Sequence, residues 1–172
     1  SGLNNLILNT VSNQIETVHI DRAAEWEADN LSFGYITRAG YNPGATAAIW
    51  QRVMEKYGDN KSDFVGEIFS PSDHPSHQER RDSYANKLYE MSGKHASVKD
   101  GTVYVNGKKF IKPAATSSMS SSERSYFVLG NLAAAYQNGH SKQQATASGG
   151  TLYLGPQNIM TPVNGDPSAE EL

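Results

Sequence analysis

The chain has 172 residues, a net charge of −3 and no cysteine, which suits one medium domain or a domain with an appendage and excludes disulfides and thiolate metal sites. The mildly negative balance argues against a nucleic-acid surface, because such surfaces carry a basic field. No stretch approaches the roughly 18 apolar residues of a membrane span, and no basic-then-apolar signal segment opens the chain.

Residues 3–18 begin with Leu3, Leu6, Ile7 and Leu8, followed by Val11, Ile15 and Val18 at helical spacing, and read as a partly ordered lead-in. The run from Asp21 to Ile36 has the composition of a helix, rich in Ala, Glu, Leu and Arg and without Pro. Glu25 and Asp29 stand four residues apart and share a face that Arg22 and Ser32 continue, while Ala24, Ala28, Leu31 and Tyr35 form an apolar stripe expected to pack. Carboxylates at this spacing ordinarily belong to a solvated face. Glu25 and Asp29 are nonetheless expected to face an internal groove, where they need a partner such as Arg80, since a buried carboxylate persists only when paired or metal-bound. Gly40 suits the left-handed position that closes the helix. Asn42 and Pro43 then read as the N-cap and first residue of a second helix, with Ala45, Ala48, Ile49, Val53 and Tyr57 inward and Gly58 at its end. Trp26 and Trp50 read as structural aromatics.

Pro71 and Pro75 keep residues 70–75 extended, so His74 sits on a stiff loop. A third helix follows from Ser76 to Met91, opened by a capping box of Ser76 and Glu79, with Arg80 in its first turns and Tyr84, Leu88 and Met91 as its packing stripe. Beyond Gly93 the turn signals Asp100-Gly101 and Asn106-Gly107 flank Thr102–Val105, with Lys108–Ile111 beyond, and predict a small antiparallel meander. Residues 113–122 read as a Ser-rich linker. Ser120 and Glu123 repeat the capping box before a helix from Ser121 to Tyr136, with Phe127, Val128, Leu132, Ala135 and Tyr136 buried. Asn138-Gly139 ends it; a polar stretch, a strand over Thr151–Leu154 and an acidic Pro/Gly-rich tail complete the chain. No internal repeat of solenoid length stands out. His19, His95 and His140 show no ligand pattern and read as surface or cap residues. The fold class is α+β, divided into a helical part over 1–93 and an α+β appendage over 94–172.

The order Glu25-x-Glu27-Ala28-Asp29, then Ala39-Gly40-Tyr41-Asn42-Pro43, then His74-Pro75 with Arg80 beyond, resembles the zinc metalloendopeptidases of the HtpX and CaaX prenyl protease family over residues 18–90. The resemblance implies the downstream half of a gluzincin-type metallopeptidase domain acting on polypeptide substrates. It makes Glu25 the third zinc ligand and Asp29 the residue that supports a metal-binding His from behind. It also sets His74 beside the metal, gating the water or holding the oxyanion, with Arg80 completing the site. The family's His-Glu-x-x-His helix, which supplies two ligands and the general base, has no counterpart here, because no two of the five histidines are four apart. That helix is therefore expected in a missing N-terminal half or on a separate chain, and Ser1-Gly2 fits a chain trimmed at that end. One ligand cannot replace three, so the chain alone is expected to be inactive and to hold zinc weakly if at all.

A zinc site built from Glu25, His74 and His77 is a further possibility, weighed against a pair of surface loop histidines. The competing functional reading is a catalytically inactive protease-like domain that binds a partner, and a third is a structural secreted module. The reading leans to an extracytoplasmic setting, periplasmic or secreted.

Overall fold

The computed structural model describes residues 22–58 and 75–172. Helix α1 covers 22–38 and closes at Gly40, whose φ of 76° needs a residue without Cβ. Helices α2 (Ala45–Tyr57) and α3 (His77–Met91) follow, then a meander of β1 (Ala96–Lys99), β2 (Thr102–Val105) and β3 (Lys108–Ile111). Helix α4 (Ser121–Gln137), a short 3-10 turn at Lys142–Gln144, and a second meander of β4 (Ala145–Ser148), β5 (Thr151–Leu154) and β6 (Gln157–Met160) complete the α+β fold. Both predicted capping boxes are formed: Ser76 with Glu79 opens α3, and Ser120 with Glu123 opens α4. Each satisfies two backbone donors that a helix start leaves without acceptors.

Helix α4 is the centre of the molecule, packing on α2, α3, β1, β2 and β6. Its Leu129, Leu132 and Ala133 meet Ala47 of α2, Tyr84 and Leu88 of α3, and Val103, Ile111, Leu152 and Ile159 of the sheets in one core. That core draws on residues from both sides of Gly93. No described helix is long and apolar enough to cross a membrane.

The two meanders are copies of one motif. Ala96 pairs with Val105 and Val103 with Ile111 in the first; Ala145 pairs with Leu154 and Leu152 with Met160 in the second. Every intermediate pair corresponds, and the register shift falls at Val103/Tyr104 in one and Leu152/Tyr153 in the other. Gly101-Thr-Val-Tyr-Val and Gly150-Thr-Leu-Tyr-Leu carry this likeness in sequence. A duplicated motif is thus present where no repeat stood out, and the polar stretch and tail around Thr151–Leu154 contain two further strands. Four short residues, Ala145–Ser148, carry little strand propensity of their own, and β4 is placed by its turn and by pairing with β5.

Other expectations also fail for identifiable reasons. Helix α2 is counted from Ala45, two residues later than expected, with Gly44 already helical at φ −63° before it. Asn42 still does the work of a cap: its Oδ1 accepts the Gly44 N–H at 2.9 Å, and its Nδ2 donates to the Phe127 carbonyl of α4 at 3.0 Å. The two backbones touch at this point. A Cβ at Gly130 would lie 2.0 Å from Asn42 Oδ1 and 2.6 Å from Gly44 Cα. Because contact is this close, α2 buries the small face Thr46, Ala47 and Ala48, leaving Ile49 and Tyr57 exposed against expectation. The stripe Ala24, Ala28, Leu31 and Tyr35 is likewise exposed, Leu31 at 51% and Tyr35 at 62%. Helix α1 turns its acidic face inward because the cationic partner lies on α3. Residues 113–120 form an ordered strap: Pro113 is fully buried and the Thr116 Oγ1 accepts the Ser118 and Met119 N–H groups.

Candidate functional site

Asp29 is buried at 3% exposure, four residues after Glu25 on the inner face of α1. From α3, Arg80 grips it bidentately: Nε donates to Oδ2 at 2.8 Å and Nη2 donates to Oδ1. The Tyr84 hydroxyl, one turn further along α3, donates to the same Oδ1 at 2.9 Å. Burial works against the Arg80 charge, but Asp29 and then Glu25 outweigh it and raise its pKa. Burial, reinforced by the hydrogen bond to Asp29, pushes the Tyr84 hydroxyl well above its ordinary value, so it stays a donor. Glu25 meets Arg80 Nη1 more loosely, at 3.4 Å, with its side chain 26% exposed. Helix α2 closes the far side with Trp50, whose ring lies 4.0 Å from the Arg80 guanidinium carbon and stacks on His77 at 5.5 Å. His77 Nδ1 in turn lies 3.3 Å from the Gly58 carbonyl at the end of α2.

Of the predicted site residues, Glu25, Asp29 and Arg80 come together, while His74 lies outside the described residues. So do His19 and the lead-in over 3–18. Tyr84 and Trp50 belong to the cluster although neither was singled out for it. The four-residue step from Arg80 to Tyr84 on one helix face was the available signal. His77 stacks on Trp50 instead of meeting Glu25. Among the described residues no group of three or more His, Cys, Asp or Glu could hold a metal.

The same arrangement occurs a second time. Ser120, Glu123 and Arg124 repeat Ser76, Glu79 and Arg80 in order and spacing. Arg124 holds Asp166 with Nη2 to Oδ2 at 2.8 Å and Nη1 to Oδ1 at 3.2 Å, and Asp166 also accepts the Ala114 and Val163 N–H groups. Each capping glutamate receives an arginine from an earlier helix, Arg22 to Glu79 at 3.5 Å and Arg52 to Glu123 at 2.5 Å. The motif therefore clamps a buried aspartate to a helix start wherever it occurs.

Compared with known proteins, the chain matches no protein family, no curated protein and no solved structure.

Proposed function

We propose that the chain is the downstream part of a zinc metalloendopeptidase, with Glu25 as its one metal ligand and Asp29 as the group that orients a metal-binding His supplied from elsewhere. The observation behind this reading is the unequal treatment of two carboxylates one turn apart. Asp29 is buried under Arg80 and Tyr84, whereas Glu25, also bonded to Arg80, keeps its side chain 26% exposed at the rim, beside the uncovered stripe of Ala24, Ala28, Leu31 and Tyr35. A helix bearing His-Glu-x-x-His would cover that stripe and bring its imidazoles alongside Glu25. Zinc, when bound by all three ligands, supplies carbonyl polarisation and an activated water. The described residues supply one donor of the three and do not fit the metal alone. The reading also carries polypeptide substrates, an extracytoplasmic setting and His74 at the mouth of the site.

A second reading rests on the repeated clamp. Arg124 and Asp166 do for α4 what Arg80 and Asp29 do for α3, and among the described residues neither place gathers three His, Cys, Asp or Glu that could hold a metal. On that reading Asp29 is a staple of a non-catalytic binding module.

The test begins with the reading frame upstream of Ser1. If it encodes His-Glu-x-x-His, the full-length protein should hydrolyse casein in a chelator-sensitive way, and Glu25→Gln should abolish both hydrolysis and stoichiometric zinc. Unchanged zinc content and activity in that variant would eliminate Glu25 as a ligand and leave the staple reading. In the same protein His74→Ala, with His77→Ala as its control, should alter kcat, by about 100-fold for an oxyanion donor.

A further inference from the structure

Apart from the Glu25 cluster, a cavity of about 390 Å³ lies between α2, α3, the β1–β2 turn and the start of α4, lined by Gln51, Arg81, Asp82, Lys99, Ser122 and Tyr126 among others. Its volume is in the range of small-ligand sites. Tyr126 is 6% exposed, yet its hydroxyl has no hydrogen-bond partner among the described residues, and neither has the Ser122 hydroxyl one turn earlier on the same face of α4. The Tyr126 hydroxyl is not sealed off but opens onto the cavity, so water meets it there until a ligand group takes that place. Ser122 belongs to the first turn of a 17-residue helix, where backbone N–H groups have no acceptor within the helix.

The charges around this hydroxyl are of both signs. Arg81 is held in place by Gln51 Oε1 at 2.9 Å and by Asp82 Oδ1 at 2.8 and 2.9 Å. Lys99 and Asp100 project from the turn that Asp100 (φ 49°) and Gly101 (φ 72°) set, and neither has an ion-pair partner among the described residues. Burial pushes the Tyr126 hydroxyl up, with Arg81 opposing and Asp82 and Asp100 adding to the shift, and all three line the same cavity. A lone anion would meet Asp82 and Asp100; a lone cation would meet Lys99 and the helix start. Tyr126, the only aromatic lining residue, has its ring buried, so the cavity offers no face on which a sugar could stack.

We propose that this cavity binds a small zwitterion of the amino-acid or dipeptide class. The carboxylate accepts from the Tyr126 hydroxyl, Ser122 and Lys99 at the start of α4, and the ammonium faces Asp100 and Asp82. The assignment is independent of the peptidase reading, because none of these residues belongs to the Glu25 cluster.

The experiment is a titration of the whole chain with glycylglycine at pH 7, followed by amide shifts in two-dimensional NMR, with acetate and ethylammonium as probes carrying one charge each. Saturable 1:1 shifts centred on Lys99–Gly101 and Ser122–Tyr126 are expected. Tyr126→Phe, which removes one oxygen atom and leaves the packing, should weaken binding about fivefold or more, and Lys99→Ala, on the surface, should weaken it as well. Non-saturating shifts with glycylglycine, equal affinity in the Tyr126→Phe chain, or equally tight binding of acetate or ethylammonium would each overturn the proposal.

Discussion

Replacing Asp29 by Asn preserves shape, removes one charge and leaves Arg80 facing an amide that accepts on one atom only. Breaking a buried pair by removing one partner costs roughly 3–5 kcal/mol. Arg80 keeps Glu25 at 3.4 Å, the Trp50 face at 4.0 Å and a side-chain exposure of 19%, all of which soften the loss. We expect Asp29→Asn to destabilise by about 2–3 kcal/mol. With a urea slope of about 1–3 kcal/mol per molar, the unfolding midpoint should fall by about 1 M or more with the slope unchanged. Arg80→Met alone should cost a similar amount, since it leaves the buried Asp29 carboxylate without its cation and with the Tyr84 hydroxyl still donating to it. The double variant should cost less than the sum, leaving a coupling energy of about 1 kcal/mol or more in the cycle. If Asp29→Asn lies within about 0.5 kcal/mol of the parent, as ordinary surface changes do, the clamp is not holding α1 to α3 and the argument is wrong.

Gly130→Ala should destabilise by about 3 kcal/mol or more despite Ala's better helix propensity, since its Cβ would enter Asn42 and the Gly44 backbone; a stabilised variant in thermal melts would contradict the contact. Burial alone would raise the Asp166 pKa, but hydrogen bonds from Arg124 and the Val163 and Ala114 N–H groups prevail and hold it below the ordinary carboxylate value. Its contribution is thus complete above the unfolded pKa near 4 and is lost as pH falls through the lower folded value. Comparing urea midpoints at pH 7 and pH 3 should show a smaller acid loss in Asp166→Asn than in the parent, and equal losses would refute the assignment. The isolated chain should show no chelator-sensitive casein hydrolysis and only weak zinc binding by calorimetry; tight 1:1 binding would require ligands beyond Glu25.

Much of the scaffold was legible because its signals are local. The boxes at Ser76/Glu79 and Ser120/Glu123 fix where α3 and α4 begin, and Asp100-Gly101 and Asn106-Gly107 fix the first meander. The partnership of Asp29 with Arg80 was legible as chemistry, since a packed acidic face needs a cation. The inward turn of the Glu25 and Asp29 face was legible too, but the exposure of Ala24, Ala28, Leu31 and Tyr35 was not, because periodicity marks two stripes and the position of Arg80 chooses between them. Asn42 was legible as a cap but not as a tether: its Nδ2 answers to Phe127, 85 residues away, and no local pattern carries that. The second meander escaped because Ala145–Ser148 lack β-branched bulk apart from Thr146, though alignment with Ala96–Lys99 would have exposed it.

Two meanders in one register give each central strand a rival partner, since β5 offers β1 the same ladder that β2 does. What separates them is the order of events during folding. The native hairpins close across two residues, Asp100-Gly101 and Gly149-Gly150. Pairing β1 with β5 would first close the whole stretch from Asp100 to Gly150, a loop about 25 times longer, which costs about 3 kcal/mol more in chain entropy. Lengthening either turn with a flexible insert erodes that advantage and should convert a single refolding phase into several, as exchanged strands form and must come apart.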